Sequence, residues 1–176
     1  MARNVEIKAK IAGFEQMRAR IRECVDDRGT KLEQEDVFFN VPRGRLKLRT
    51  VNGRCELIYY FRENATQPRQ SNYLVIPIEN AAGVREMLAG VHGEIGIVRK
   101  TRWLFMAGQT RIHLDRVQGL GDFLELEVVM REEQSADEGA AIATELMARL
   151  GIAREQLMDR AYVDYLQSAA KAVSGQ

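Results

Sequence analysis

The sequence predicts an α+β chain in which roughly eight antiparallel strands close into a β-barrel, flanked by three or four helices. Two observations predict it. Segments with apolar residues on one face and charges on the other recur at strand period along the chain. Amphipathic helical stretches stand mostly at the ends of the strand runs, and each needs an apolar sheet face to cover. Strands this numerous can close on one another, which also removes their exposed edges.

Val5 to Ile11 alternates strictly, with Val5, Ile7, Ala9 and Ile11 on one face and Asn4, Glu6, Lys8 and Lys10 on the other. Phe14, Met17, Ile21 and Val25 fall at helical spacing, so a helix is expected from Phe14 to Val25, closed by Asp27 to Gly29. A strand runs through Val37-Phe38-Phe39. Pro42 to Gly44 turns the chain into Arg45-Leu46-Lys47-Leu48-Arg49, a second strict alternation. Asn52-Gly53 is the strongest short hairpin signal and leads into a strand from Glu56 to Phe61. Asn64 to Asn72 is polar, contains Pro68 and reads as a loop, after which Tyr73 to Ile78 is extended. Ala81 to Val91 reads as a helix carrying Val84, Met87, Leu88 and Val91. Two long strands, Ile97 to Met106 and Thr110 to Val117, pair through Gly108, and Gly119 to Asp122 turns into a strand from Phe123 to Met130. The tail is read as two helices, Ala140 to Leu150 and Arg154 to Leu166, separated by Gly151.

The length of 176 residues suits one domain, residues 1–176. A formal net charge of +1 argues against a general nucleic-acid binder, which carries a clear basic excess. Cys24 and Cys55 give no case for a disulfide framework, and Met1-Ala2-Arg3-Asn4 runs straight into a strand with no signal-like leader. No apolar run approaches the ~20 residues a membrane helix needs. A soluble cytoplasmic protein, with no membrane partner, is the expectation.

Chemistry is expected on the charged faces. They carry Glu6, Lys8 and Lys10; Arg45, Lys47 and Arg49; Lys100 and Arg102; Arg111, His113 and Asp115; and Glu125 and Glu127. On any one strand such a face is most simply solvated, as in a sandwich with its charges toward water. If helices cover the apolar outside of a closed barrel, the charges point inward, and that interior must stay wet or hold a counter-charged ligand. Glu6, Asp115, Glu125 and Glu127 are hard oxygen donors of the kind that hold Mg²⁺ or Mn²⁺ beside substrate phosphates. Lys8, Lys47, Arg49, Lys100 and Arg102 would surround a polyanion, arginine offering forked hydrogen bonds to phosphate. His113, with only His92 for company, reads as a barrel-lining or structural residue, and no histidine metal site is spelled. Tyr59, Tyr60 and Trp103 are open either to stacking on a nucleobase or to the core.

These residues resemble the CYTH superfamily, the triphosphate tunnel metalloenzymes, and especially the branch named for class IV adenylyl cyclases. The family opens with a Glu-x-Glu-x-Lys strand; Asn4-Val5-Glu6-Ile7-Lys8 keeps the second Glu and the Lys, with Asn4 in place of the first Glu. Arg45 to Arg49 is similar to the family's phosphate-binding strand. Lys100-Thr101-Arg102, Ile112 to Asp115, Gly119 to Glu127 and the closing Arg160-Ala161-Tyr162-Val163-Asp164-Tyr165-Leu166 follow in the family's order. The likeness runs from about Arg3 to Leu166. It implies an eight-stranded antiparallel tunnel in which Glu6, Glu125 and Glu127 bind metal with Asp115 nearby. It also implies that Lys8, Lys47, Arg49, Lys100 and Arg102 hold phosphates, with Arg62 and Arg69 as further contacts. Glu6, Lys8 and Glu127 are the residues it implies for catalysis, and Asn4 would weaken the metal site or shift its preference.

Three readings of function stay open at this point. The chain cyclises ATP to cyclic AMP and pyrophosphate; or it hydrolyses inorganic triphosphate, thiamine triphosphate or a nucleotide; or it binds a polyphosphate without chemistry. Its partner in each is a small triphosphate together with Mg²⁺ or Mn²⁺, and a homodimer is left open.

Overall fold

The computed structural model describes residues 1–174, with side chains described as far as Ala170. Among the described residues eight strands and four helices follow in the order β1 (Ala2–Lys10), α1 (Phe14–Cys24), β2 (Thr30–Phe39), β3 (Arg45–Val51), β4 (Arg54–Arg62), β5 (Arg69–Ile78), α2 (Ala81–His92), β6 (Glu94–Ala107), β7 (Thr110–Val117), β8 (Gly121–Val129), α3 (Ala136–Arg149) and α4 (Tyr162–Ser174), with a 3₁₀ turn at Arg154–Gln156. The strands close in the order β1-β5-β4-β3-β2-β6-β7-β8, every neighbouring pair antiparallel. Closure leaves no ladder edge unpaired. Among the described residues, no helix is long and apolar enough to cross a membrane.

β1 displays the principle of the fold. Val5, Ile7 and Ala9 are 1%, 2% and 0% exposed, yet the alternating Asn4, Glu6 and Lys8 are only 5%, 7% and 4% exposed. Both faces are covered: the apolar one by helices, the polar one by the barrel itself. On the outside, Phe14, Met17 and Ile21 of α1 and Ala143, Leu146 and Met147 of α3 pack on Val5, Ile7, Ile112, Leu114, Leu124 and Leu126. Each such side chain, fully buried, contributes about 1.5–3 kcal/mol. Leu88 of α2 packs with Val37, Phe39 and Leu48. The outer face of β5 is left partly bare, with Leu74 47% and Ile76 45% exposed.

Local chemistry sets the joints. Asn52 and Gly53 take φ of 47° and 80°, the left-handed pair that a tight hairpin between β3 and β4 requires. Ser135 caps α3 by accepting from the Glu138 backbone N–H, while Glu138 accepts from the Ser135 N–H, a reciprocal box. Gly139 lets α3 lie against β1: a Cβ there would meet Val5 Cγ2 at 2.7 Å and Met130 Sδ at 2.5 Å.

The boundaries that differ most from expectation are four, and the reasons are physical. β2 begins at Thr30, well before Val37, because Gln34 and Asp36 are inward-facing strand positions that read as polar loop. β5 begins at Arg69, within the segment expected to be loop, pairing Arg69 with Glu6 and Ser71 with Asn4. α3 gains a first turn from the Ser135 cap. The stretch from Arg154 to Leu166 is not one helix: Leu157 bridges to Ala9, the Met158 N–H donates to the Lys8 carbonyl at 2.8 Å, and α4 starts only at Tyr162. Hydrogen bonds to β1 hold those residues extended, as a strap across one end of the barrel.

Candidate active site

The inward positions of the strands enclose a cavity of about 550 Å³. Eight basic and five acidic side chains line it, with His113 among them. The apolar outside and charged inside therefore arise from one alternation, read from its two faces. Cations exceed anions, so the cavity is built for an anion.

Two carboxylates organise the basic side chains. Asp36 on β2 accepts from Lys47 Nζ at 3.0 Å, from Arg49 Nε at 2.9 Å and from Gln34 Nε2 at 2.9 Å. Asp115 on β7 accepts from Lys100 Nζ at 2.8 Å, from Arg102 Nε and Nη2 at 2.6 and 2.7 Å, and from the Tyr162 hydroxyl at 3.1 Å. The forked Arg102 contact is the strong, planar kind. Register explains the pairing: Arg49 lies opposite Asp36, and Arg102 opposite Asp115.

The acidic side chains gather where β1, β8 and β7 adjoin. Glu6 lies opposite Glu127, and Glu125 lies between Lys8 and His113. Glu6 pairs with Arg62 Nε at 2.8 Å; Glu125 pairs with Lys8 at 3.4 Å and with Arg102 at 3.0 Å; Glu127 pairs with Arg111 at 3.5 Å. His113, Glu125 and Glu127 each offer one ligand atom within 4.8 Å of the others, a donor set that fits a divalent cation. The buried Asn4 Oδ1 and His113 Nδ1 have no hydrogen-bond partner.

Burial alone would raise the Asp36 and Asp115 carboxyls, but the adjoining cations outweigh it and hold both well below the usual carboxylate range. Burial, reinforced by neighbouring arginines, pushes Lys47 down to about 7 and Lys100 down to about 8. Glu6 is raised, first by burial and then by Glu125 and Glu127, against Arg62. Glu125 is lowered despite its burial by Lys8, His113 and Arg102, and Glu127 by His113 above all. Burial and Arg102 lower His113.

One end of the cavity is plugged. Tyr162, at the start of α4, packs with Phe38, Val98, Val117 and Phe123, and Lys8 Nζ lies 3.9 Å above its ring. At the opposite end Leu32, Val51, Val75 and Leu104 line the cavity beside Arg54 and Arg111, with Val75 39% exposed.

Of the side chains expected from sequence, Glu6, Lys8, Lys47, Arg49, Arg62, Lys100, Arg102, Glu125 and Glu127 all line the cavity. Arg69 and Asp115 do not. Arg69 is buried beside it, donating to the carbonyls of Ala65 and Met158 with its Nε 3.7 Å from Glu6. Asp115 is 0% exposed and accepts hydrogen bonds from Lys100, Arg102 and the Tyr162 hydroxyl. His113 lines the barrel as expected, and it stands beside Glu125 and Glu127, a grouping that no sequence spacing spelled. Trp103 stacks on Phe105 under Arg18, in the outer core; of the three aromatics singled out, only Tyr60 faces the cavity. Sequence reasoning missed Asp36 and Tyr162. The alternation Gln34, Asp36, Phe38 against Val37, Phe39 was the available signal for the first; Tyr162 stood in the closing motif of the family resemblance, with no role attached to it.

The sequence matches the CYTH domain over residues 2–162. A Methanocaldococcus jannaschii protein bearing the name "putative adenylate cyclase" is 23% identical over 168 residues, spanning 91% of this chain and 96% of that one. A solved Pyrococcus horikoshii protein superimposes with a TM-score of 0.83 at 25% identity, over 92% of this chain and 98% of that one. A Vibrio parahaemolyticus structure titled a "putative adenylate cyclase" follows at 0.77 and 18% identity, over 93% and 97% of the two chains.

Proposed function

The chain belongs to the CYTH domain family, and from that premise we propose that it is a divalent-metal-dependent enzyme cleaving a P–O bond of ATP, with cyclic AMP and pyrophosphate as products. The observation that carries this reading is the cationic cavity beside a carboxylate-rich donor set, closed at one end and apolar at the other. The name borne by the archaeal relative supports the cyclase form of it.

In this reading the phosphate chain lies among Lys47, Arg49, Lys100 and Arg102, which Asp36 and Asp115 hold in fixed orientation. Such pre-set donors are where phosphoryl transfer gains most of its rate, because little covalent chemistry is left to the protein. Glu125 and Glu127 would hold the cation, which when bound neutralises phosphate charge and polarises a phosphoryl oxygen. Glu6, its carboxyl raised by burial, accepts the proton of the ribose 3′-hydroxyl. The 3′-oxygen–α-phosphorus bond forms as the bond from that phosphorus to the bridging oxygen of pyrophosphate breaks. Lys8, between Glu125 and the Tyr162 ring, faces the leaving group. Leu32, Val51, Val75 and Leu104 offer the base an apolar surface at the mouth.

A second reading, hydrolysis of inorganic or thiamine triphosphate, is favoured by one observation: aromatic rings at the basic centre are already taken by lysines. Lys8 covers Tyr162 at 3.9 Å, and Lys47 lies 5.5 and 5.6 Å from Phe38 and Tyr60. Recognition there is of phosphate alone. Incubation with Mg²⁺ or Mn²⁺ and, separately, ATP, inorganic triphosphate and thiamine triphosphate, followed by phosphorus NMR, separates the two. Cyclic AMP with pyrophosphate supports cyclisation, and orthophosphate supports hydrolysis. Metal-dependent binding without turnover removes both.

A further inference from the structure

We propose, building on the metal-dependent reading above, that His113 is itself a ligand of the cation, so that with Glu125 and Glu127 it forms a mixed nitrogen–oxygen site preferring a first-row transition ion such as Mn²⁺ to Mg²⁺. His113 projects from β7 into the cavity and is 5% exposed. Its Nδ1 is buried with no hydrogen-bond partner. Leaving a buried polar atom unpaired is costly, which favours a use for it that the protein alone does not supply.

The distances fit coordination better than hydrogen bonding. Nδ1 lies 3.6 Å from Glu125 Oε2 and 3.6 Å from Glu127 Oε1. Both separations are too long for hydrogen bonds. Donors bound at about 2.1–2.2 Å to one ion, with angles of about 90–110°, lie about 3.0–3.6 Å apart; both histidine–glutamate separations meet that limit, and the three ligand atoms all lie within 4.8 Å of one another. Other oxygens of the same carboxylates are held elsewhere: Glu125 Oε1 by Lys8 at 3.4 Å and Glu127 Oε2 by Arg111 at 3.5 Å. These contacts fix how the carboxylates face, as outer partners of a metal site do. Arg102 reaches Glu125 Oε2 at 3.0 Å, which leaves that oxygen a second lone pair for the cation.

The donor types set the ion. Mg²⁺ wants oxygen ligands and dehydrates reluctantly, whereas imidazole suits the transition ions and carboxylate suits Mn²⁺. With Asn4 supplying no charge beside Glu6, the nitrogen of His113 is what distinguishes this site from an all-carboxylate one.

The test is pulsed electron paramagnetic resonance of Mn²⁺ added to the intact protein, with calorimetric titration of Mn²⁺ and Mg²⁺. His113 and His92 are the chain's two histidines, and His92 ends α2 outside the barrel. Nitrogen modulation of the Mn²⁺ signal is expected in the natural protein and in His92→Gln, and its loss in His113→Gln. The Mn²⁺-over-Mg²⁺ preference should fall about tenfold or more with that change. Mn²⁺ bound without nitrogen modulation, its preference unchanged in His113→Gln, overturns the ligand assignment and leaves the metal-dependent reading intact. No uptake of either ion, with or without inorganic triphosphate, overturns both. Should His113→Gln fail to fold, the modulation in the natural protein and in His92→Gln decides alone.

Discussion

The two carboxylate clamps, on the neighbouring strand pairs β2–β3 and β6–β7 of the barrel wall, look alike and differ in their access to water. Each holds one lysine and one arginine. The Asp115 clamp is sealed, with its Lys100 and Arg102 side chains 3% and 4% exposed and Tyr162 closing over it. The Asp36 clamp is looser, with Lys47 and Arg49 at 11% and 21%. Despite that difference in access, burial and an adjacent arginine push both lysines down, Lys47 to about 7 and Lys100 to about 8. Asp115, Glu125 and Asp36 favour the charge on Lys100, and Asp36 favours that on Lys47. In both clamps the carboxylate works against burial and an adjacent arginine to keep its lysine charged.

The largest expected effect breaks the sealed clamp. Asp115→Asn leaves Lys100 and Arg102 buried and short of their counter-charge, and should cost about 3–5 kcal/mol in urea unfolding. Asp36→Asn should cost roughly half as much, since water reaches Arg49. Equal losses would dissolve the distinction between the two.

Ligand binding sharpens it next. Lys47→Met and Lys100→Met each remove a charge-assisted contact worth about 1.5–3 kcal/mol. Near pH 7.5 each lysine is only partly charged, so either change should weaken inorganic triphosphate binding more at pH about 6 than at pH about 8.5.

A smaller effect is a difference in sign. Between about 7 and the ordinary lysine value of 10.5, the unfolded chain binds the proton that folded Lys47 has lost. The Lys47 contribution to stability therefore rises with pH across that window. Triphosphate binding runs the other way: it favours charged Lys47, so affinity falls as pH rises through about 7 to 8 and binding takes up protons. Calorimetry at pH about 8 in buffers of differing ionisation enthalpy should register that uptake, and Lys47→Met should reduce it.

The smallest expected effect lies outside the barrel altogether. Arg85 and Glu94 form a forked pair at 2.6 and 2.9 Å, but their side chains are 40% and 28% exposed. Arg85→Ala should change stability by less than about 1 kcal/mol and leave triphosphate binding as it was.

What could be read from the sequence was whatever strand period carries. Lys8, Lys47, Arg49, Lys100, Arg102, Glu125 and Glu127 stand at alternate positions among apolar neighbours, so their common face was legible before their common cavity was. Asp36 escaped because the apolar half of the β2 alternation begins only at Val37; across Glu33 to Asp36 both faces of the strand are polar, so the signal is one residue pair long. The role of Asp115 depends on its neighbours across β6 and α4, which no local pattern encodes. The strap at Leu157 and Met158 is made by backbone bonds to β1, which cost nothing in side-chain composition and so leave no trace in it. The imidazole between two glutamates is a matter of register alone, His113 opposite Glu125.

Tyr162 and the strap make the barrel a blind alley. A substrate that enters phosphates first and is cut near its middle leaves its inner fragment at the dead end, behind the organic fragment. Departure then has an imposed sequence, outer piece before inner, and the inner anion should compete with fresh substrate for the same doorway. Widening the closed end by Tyr162→Ala would give the inner piece a back exit and should relax that competition.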